Sequence, residues 1–567
     1  MSIINIDDWA VDNNIDTPIR SVNNGNWNVR DYTEVFEDIF NTYPGSLKLE
    51  LESGKTYGYS KTLIHGDGRN GRLQITTNNT SSHYGPRSTL MAIPDENGEF
   101  GDGMESISLP GNSTLGMPSF DETTNSGRIP ELPEGVTAGL WSVAGNITIS
   151  NIHFLCATEV RKTKPHVYLW MIRHSSQGNS EDTDPSVLYS SFSPNLSLNK
   201  SNPEWAAAMY HEGRGLKVKD SLFANKKIGI IQSFPKDIYD ATPQSGDNQH
   251  WYGGNRKAEF VSNHIHGANS IFLKFTGDYA VNRGSIISNN QLDIGGTLME
   301  VEGKGMTGAV ISSNVVANSS SEKNDKSLID ADVREFSSNV ITGNSFFGSD
   351  DTFPHNEDRR IDHAITIKAD KSVGNSIIGN SFAYHNDSAI ELITPSHGIN
   401  ITGNTAVGDF TLVKSSNKST GIVAYNTSQG DILSGGSKLT IHGNVVYNNP
   451  VDPLTGMSVD INERYFVGVP HKFKKKYATR IYNFNSDSDS IAINKESYGV
   501  DDPTISFVKS KKKLKRNIKE DFDFIYCRKN GGLYYNENGD ENGFGDGGII
   551  LLVSNEPKIS LNNMEFI

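Results

Sequence analysis

The sequence predicts an all-β fold: a parallel β-helix with a capping helix near its start and a small β module at its end. Three observations predict it. A short pattern returns through the middle of the chain: apolar-x-apolar, one or two small polar residues, Asn, then an apolar pair. Each copy alternates with period two over four to six residues, which suits strands and not the 3.6-residue period of a helical solenoid. Apolar residues make up only 35% of the chain, with 54 glycines in 567 residues, and mean hydropathy is −0.47. A narrow solenoid core with long polar corners needs no more than that.

The copies read TISNIHF ending at Phe154, KVKDSLF with Asp220 in the Asn position, then FVSNHI (Asn263), IISNNQL (Asn290) and VISSNVV (Asn314). They continue as VITGNSF (Asn344), SIIGNSF (Asn380), NITGNTA (Asn404) and IHGNVV (Asn444). From Asn263 the spacings are 27, 24, 30, 36, 24 and 40 residues. Three short strands need about 22–25 residues per coil, so longer intervals hold corner loops. Asn suits the corner because it tolerates left-handed φ and its amide can pair with the Asn of the next coil.

Before the repeat, residues 31–41 read as an amphipathic helix with Val35, Phe36, Ile39 and Phe40 on its apolar side, ended by Pro44-Gly45. Residues 47–68 read as first strands and turns. Stretches 80–140, 176–206 and 235–256 read as long loops, where function commonly sits on a rigid scaffold. The resulting domains are 1–145 (cap and first coils), 146–450 (β-helix), 451–520 (β and linker) and 521–567 (terminal module).

Charge and composition exclude several classes. With 52 Lys+Arg against 67 Asp+Glu the net charge is −15, which argues against a nucleic-acid partner. No window approaches 18 consecutive apolar residues, so membrane insertion is not expected. Two cysteines, Cys156 and Cys527, offer no disulfide framework. The opening residues lack the basic and apolar regions of a secretory leader. KSKKKLKR at 509–516 reads as a solvated linker.

The helix, the SGKTYGYSKTL segment and the stacked coils over about residues 30–450 resemble the pectate-lyase-like right-handed β-helix superfamily. That resemblance implies right-handed coiling and a polysaccharide lyase, glycoside hydrolase, uronan epimerase or phage tailspike. Residues 258–385 also resemble inulin fructotransferases, but Ser262 and Lys274 stand where that family carries its carboxylate pair. This likeness therefore implies architecture and not fructose transfer. The last 47 residues resemble the end of RTX-type secreted proteins, through the F-I-Y and G-x-L-Y-Y strands, the Asn/Gly turn and the terminal P-x-I-S-x-N-x-x-E-F-I. It implies calcium and type I export with an uncleaved C-terminal signal. Asn536, Asn538, Asp540 and Asn542 alternate there, an arrangement of oxygens that a hard cation takes.

Aligning the strand that opens each coil gives a column of outward positions. The third position holds Lys274, Glu300, Asp330, Thr366, Glu391 and Lys414; the fifth holds Thr276, Glu302, Asp332, Lys368, Ile393 and Ser416. Neighbouring coils stack about 4.8 Å apart, so Glu300, Glu302, Asp330 and Asp332 should crowd, flanked by Lys274 and Lys368. Crowded carboxylates share a proton or a cation, which serves general-acid catalysis or a Ca2+ site. In a lyase, Lys274 or an arginine would take the proton next to the sugar carboxylate. The charged loop 349–363 offers His363 as acid or base, and Arg359 and Arg360 as substrate clamps. His264 and His266 share one strand face, where two histidines lack an evident third metal ligand; His264, with Trp251 and Tyr252, is a candidate sugar contact. These residues predict an extracellular carbohydrate-active enzyme with no organic cofactor. The alternative is a tailspike or surface adhesin, a class that usually forms homotrimers and sits on a phage virion.

Overall fold

The computed structural model describes residues 2–65, 72–78, 87–101, 137–142, 146–163, 166–173, 185–192, 207–213, 215–224, 228–233, 255–256, 258–266, 270–277, 281–293, 296–317, 326–348, 361–408, 410–416, 418–435, 438–448, 462–470, 472–475, 477–481, 484, 486–487, 489–553 and 558–567. The chain is a right-handed parallel β-helix that divides into two compact units, 1–339 and 340–567. Among the described residues no helix is long and apolar enough to cross a membrane.

In the first unit each coil contributes one strand to each of three parallel sheets. The first sheet starts with Ser2–Asn5, Leu47–Leu51 and Arg72–Thr77, paired in register. The second holds Thr56–Tyr59, Ser88–Ala92 and Ile152–Cys156. The third carries Ser270–Thr276, Gly296–Thr307 and Ile329–Ser337. Strands of the coils therefore already occur within 1–145. Inward residues stack from coil to coil: Phe154, Phe192 and Phe223 lie with ring centroids 4.9 and 5.0 Å apart and nearly parallel planes. Such a ladder buries apolar area in a core only one side chain deep on each face.

The capping helix spans Thr33–Thr42 and buries Val35, Phe36, Ile39 and Phe40, as their spacing requires. A second helix, Ile6–Asp12, precedes it, and the Asn5 side chain accepts hydrogen bonds from the Asp7 and Asp8 amides. Asp7 ties this helix to the first coils by accepting from Tyr32 Oη (2.8 Å), Tyr57 Oη (2.7 Å) and Lys55.

The corners divide labour in a way the repeat alone did not reveal. The left-handed residue is the one before the asparagine: Ser262 (φ 57°), Asn289 (56°) and Ser313 (56°) in the first unit, Gly379 (63°), Gly403 (66°) and Tyr425 (56°) in the second; in the first copy Asn151 is itself left-handed (59°). The Asn is buried and does the hydrogen bonding. Asn290 Oδ1 accepts from the Asn263 amide and from Asn263 Nδ2, both at 3.0 Å. Asn290 Nδ2 donates to Asn314 Oδ1 (2.9 Å) and to the Phe260 carbonyl (2.9 Å). The same ladder joins Asn344, Asn380, Asn404, Asn426 and Asn444 in the second unit. Asp220 is thus a left-handed corner (φ 52°), and Ser221 takes the Asn position, accepting from the Ser190 amide. Asn426 adds a coil inside the 40-residue interval, dividing it into 22 and 18 residues.

The second unit likewise has parallel sheets, with strands such as Ser376–Ile378, Ser381–Ala383 and His363–Val373. A separate five-stranded sheet follows, built from Ile505–Val508, Phe524–Cys527, Gly532–Tyr535, Gly548–Val553 and Thr479–Ile481. The basic stretch is a helix, Lys511–Asn517, and not a linker. Ser510 caps it and Leu514 packs on Val508, Ile525 and Cys527, while its lysines stay exposed.

Candidate functional site

Strand Gly296–Thr307 alternates, so Met299 and Val301 enter the core while Glu300 and Glu302 share the opposite face. Parallel pairing sets Lys274 beside Glu300, Glu300 beside Asp330, and Glu302 beside Asp332. The aligned column is therefore real in the first unit. Lys274 Nζ lies 3.2 Å from Glu302 Oε1 and 3.6 Å from Glu300 Oε2. Lys326, which the sequence did not single out, reaches Glu300 Oε1 at 2.8 Å and Asp330 Oδ2 at 3.5 Å. Two ammonium groups thus hold Glu300, whose side chain is only 5% exposed.

The carboxyls titrate in opposite directions. Burial opposes ionisation of Glu300, yet the Lys326 hydrogen bond and the Lys274 charge outweigh it and hold its pKa below the ordinary value. Burial raises Glu302, and its hydrogen bond with the Glu300 carboxylate raises it further despite Lys274. Burial likewise raises Asp330, supported by the charges of Glu300 and Asp332 against that of Lys326. One strand therefore carries a carboxyl of lowered proton affinity beside one of raised proton affinity, the split that acid–base chemistry uses.

Beside Glu302 is a shallow surface depression lined by Gln232, Phe275, Thr276, Gly277, Asn282, Glu302 and Gly305. Asn282 is buried, and its Nδ2 has no hydrogen-bond partner among the described residues. Gly305 (φ 112°) shapes this bend: a Cβ there would sit 1.9 Å from the Glu335 carbonyl oxygen.

Other predicted residues fall elsewhere. His264 Nε2 and His266 Nδ1 both meet Asp293, at 2.7 and 3.1 Å through different carboxylate oxygens, a partner the sequence reading lacked. His363 lies in the second unit with Asp387, Glu391 and Lys414. Lys368 lies on the same strand as His363, exposed. Trp251, Tyr252, Arg359 and Arg360 lie outside the described residues. In the terminal module, Asn536 is buried and its Nδ2 donates to the Phe522 (3.1 Å) and Gly539 (2.6 Å) carbonyls. The Oδ1 atoms of Asn536 and Asn538 are buried without partners among the described residues, whereas Asp540 and Asn542 are exposed.

No family model and no curated protein matches the sequence. Solved structures similar to the chain include the Dettilon tailspike protein, at 11% identity over 77% of this chain and 70% of that one, TM-score 0.38. The Azotobacter vinelandii mannuronan C-5 epimerase AlgE6 A-module is 10% identical over 79% of this chain and 99% of its own, TM-score 0.35. DFA-IIIase from Arthrobacter chlorophenolicus A6 is 11% identical over 88% and 97%, TM-score 0.34.

Proposed function

We propose that the chain is an extracellular carbohydrate-active protein that binds a polysaccharide along the outward face of the 274–332 strands and cleaves a glycosidic bond there. The observation that carries this reading is the Glu300/Glu302 pair, whose proton affinities are driven apart on one strand. Glu302, at the edge of the depression, donates its proton to the leaving glycosidic oxygen. Asp332, in register on the next coil and exposed, is the partner carboxylate facing the anomeric carbon. Carboxyls on adjacent coils lie about one strand spacing apart, nearer the ~5–5.5 Å of retaining enzymes than the ~6.5–9.5 Å of inverting ones. Glu300, held by Lys274 and Lys326, keeps the negative charge that makes Glu302 reluctant to ionise. The buried Asn282 amide beside it is a donor for a sugar hydroxyl.

Reducing-end release and 235-nm absorbance on a panel of neutral and uronic polysaccharides test this. Reducing ends without an absorbance rise support hydrolysis, and an absorbance rise replaces it with β-elimination. Binding without release on any glycan leaves the tailspike or adhesin reading, which the shallowness of the depression favours. Light scattering then reports whether the chain forms the homotrimer of that class. The two buried, unpartnered amide oxygens of Asn536 and Asn538 support calcium binding by the 536–542 turn. A calcium-dependent rise in melting temperature, lost in Asn536→Ala, is the expected result.

A further inference from the structure

The second unit holds a cluster of different composition. His363 opens strand His363–Val373 and is the register partner of Ser388, while Glu391 on strand Ser388–Leu392 is the partner of Lys414. Asp387 immediately precedes that strand. His363 Nε2 lies 3.0 Å from Glu391 Oε2 and 3.8 Å from Asp387 Oδ2. One ligand atom from each of the three residues falls within 4.8 Å of the others.

We propose that His363, Asp387 and Glu391 form a binding site for a divalent transition-metal cation of the zinc type, with Lys414 as the competing cation. The spacing fits. A tetrahedral ion with bonds of about 2.0–2.1 Å separates its ligand atoms by about 3.3–3.4 Å, and the separations of 3.0 and 3.8 Å bracket that value. The donor set fits as well: an imidazole with two carboxylates suits zinc better than the all-oxygen shell that calcium prefers. The histidine is oriented from behind, because its Nδ1 meets the buried Ser388 Oγ at 2.9 Å and leaves Nε2 to the carboxylates. In the tautomer whose Nδ1–H donates to Ser388, the Nε2 lone pair faces Glu391, and a cation between them is coordinated by both. Lys414 marks where positive charge is favoured: its Nζ lies 2.6 Å from Asp387 Oδ2 and 3.1 Å from Glu391 Oε1. Its side chain is 43% exposed and can swing into water. Three protein ligands leave one position for water or a substrate oxygen.

The test uses the full chain, stripped with a chelator and titrated calorimetrically with zinc and, separately, with calcium. Cobalt absorption serves as a second readout of a four-coordinate site. The expected result is one zinc per chain, lost in both His363→Gln and Glu391→Gln while circular dichroism and melting show each variant folded. Lys414→Met should bind zinc more tightly, because its competing charge is gone. Ser388→Ala should weaken binding by about tenfold, the usual effect of losing an outer hydrogen bond to a ligating histidine. The proposal is overturned if neither wild type nor Lys414→Met binds zinc. Zinc binding that survives both His363→Gln and Glu391→Gln, or calcium binding tighter than zinc, overturns it equally.

Discussion

The carboxylate clusters of the two units occupy equivalent places in their coils, the outward third position of a parallel strand, and differ in what neighbours them. Around Glu300 the next coil supplies another acid, Asp330, and two lysines divide between them. Negative charge is in excess, so proton affinities separate, with Glu300 low and Glu302 and Asp330 high. Around Glu391 the next coil supplies Lys414 and the preceding coil brings His363. One lysine faces two carboxylates there, and an imidazole nitrogen joins the oxygen atoms of the cluster. One backbone register thus gathers two different sets of side chains, chosen by the residue one coil away.

The strongest way to break this contrast is Glu302→Gln. It should lower glycan cleavage at least about 100-fold, the usual range for loss of a general acid. The fold should remain intact, and reducing-end release measures the effect. In wild type the alkaline limb of the pH–rate profile should lie above the ordinary glutamate range, because the acid works only while protonated and its pKa is raised. A limb at or below the ordinary value removes Glu302 from this role. Next in size are the supports. Asn290→Ala leaves the Asn263 amide, the Phe260 carbonyl and Asn314 Oδ1 short of partners, and should cost about 3 kcal/mol or more in chemical denaturation. Glu300→Gln removes the carboxylate that two ammonium groups share and should cost roughly 3 kcal/mol. The stability due to Glu300 has a defined pH sign. Its folded pKa is lowered, so the contribution is present above the ordinary glutamate value and lost as pH falls through the lower folded value. The smallest effect belongs to the second unit: Lys414→Met should change stability by less than about 1 kcal/mol, since Lys414 and Asp387 are well exposed and Glu391 keeps His363 as a neighbour. A large loss there would show that the Glu391 cluster is structural.

Much of this was legible because a β-helix writes its register into the sequence. Apolar alternation aligned FLKFT, LMEVE and LIDAD well enough to place Lys274, Glu300 and Asp330 side by side. The coil at Asn426 is hidden in the sequence because Tyr425 fills the position before the asparagine, where a small or polar residue (Gly, Ser or Asn) stands before Asn263, Asn290, Asn314, Asn380 and Asn404. Lys326 and Asp387 are hidden for a related reason. Each precedes its strand, and strand periodicity says nothing of where such a residue turns. The His363 cluster did leave a signal: His-Ala-Ile at 363–365 and Ser-Ala-Ile at 388–390 share one pattern, which matches their pairing. The Asn536–Asn542 turn was legible as a set of oxygens, but not which of them are buried, because burial depends on the carbonyls that hold the Asn536 amide.

The asparagine ladder has a consequence for how such a chain can change length. Each rung touches the coil behind through a carbonyl and the coil ahead through an amide oxygen, and nothing in its bonding depends on how many residues lie between rungs. Intervals of 18, 22, 24, 27 and 36 residues satisfy the same bonds. The fold therefore counts in coils and not in residues. Duplicating or excising one whole coil returns an asparagine to face an asparagine, while cutting the same number of residues out of phase opposes an amide to a strand. Growth by whole turns is thus the cheap route to a longer face, and a loop of any length can enter between rungs without disturbing the next.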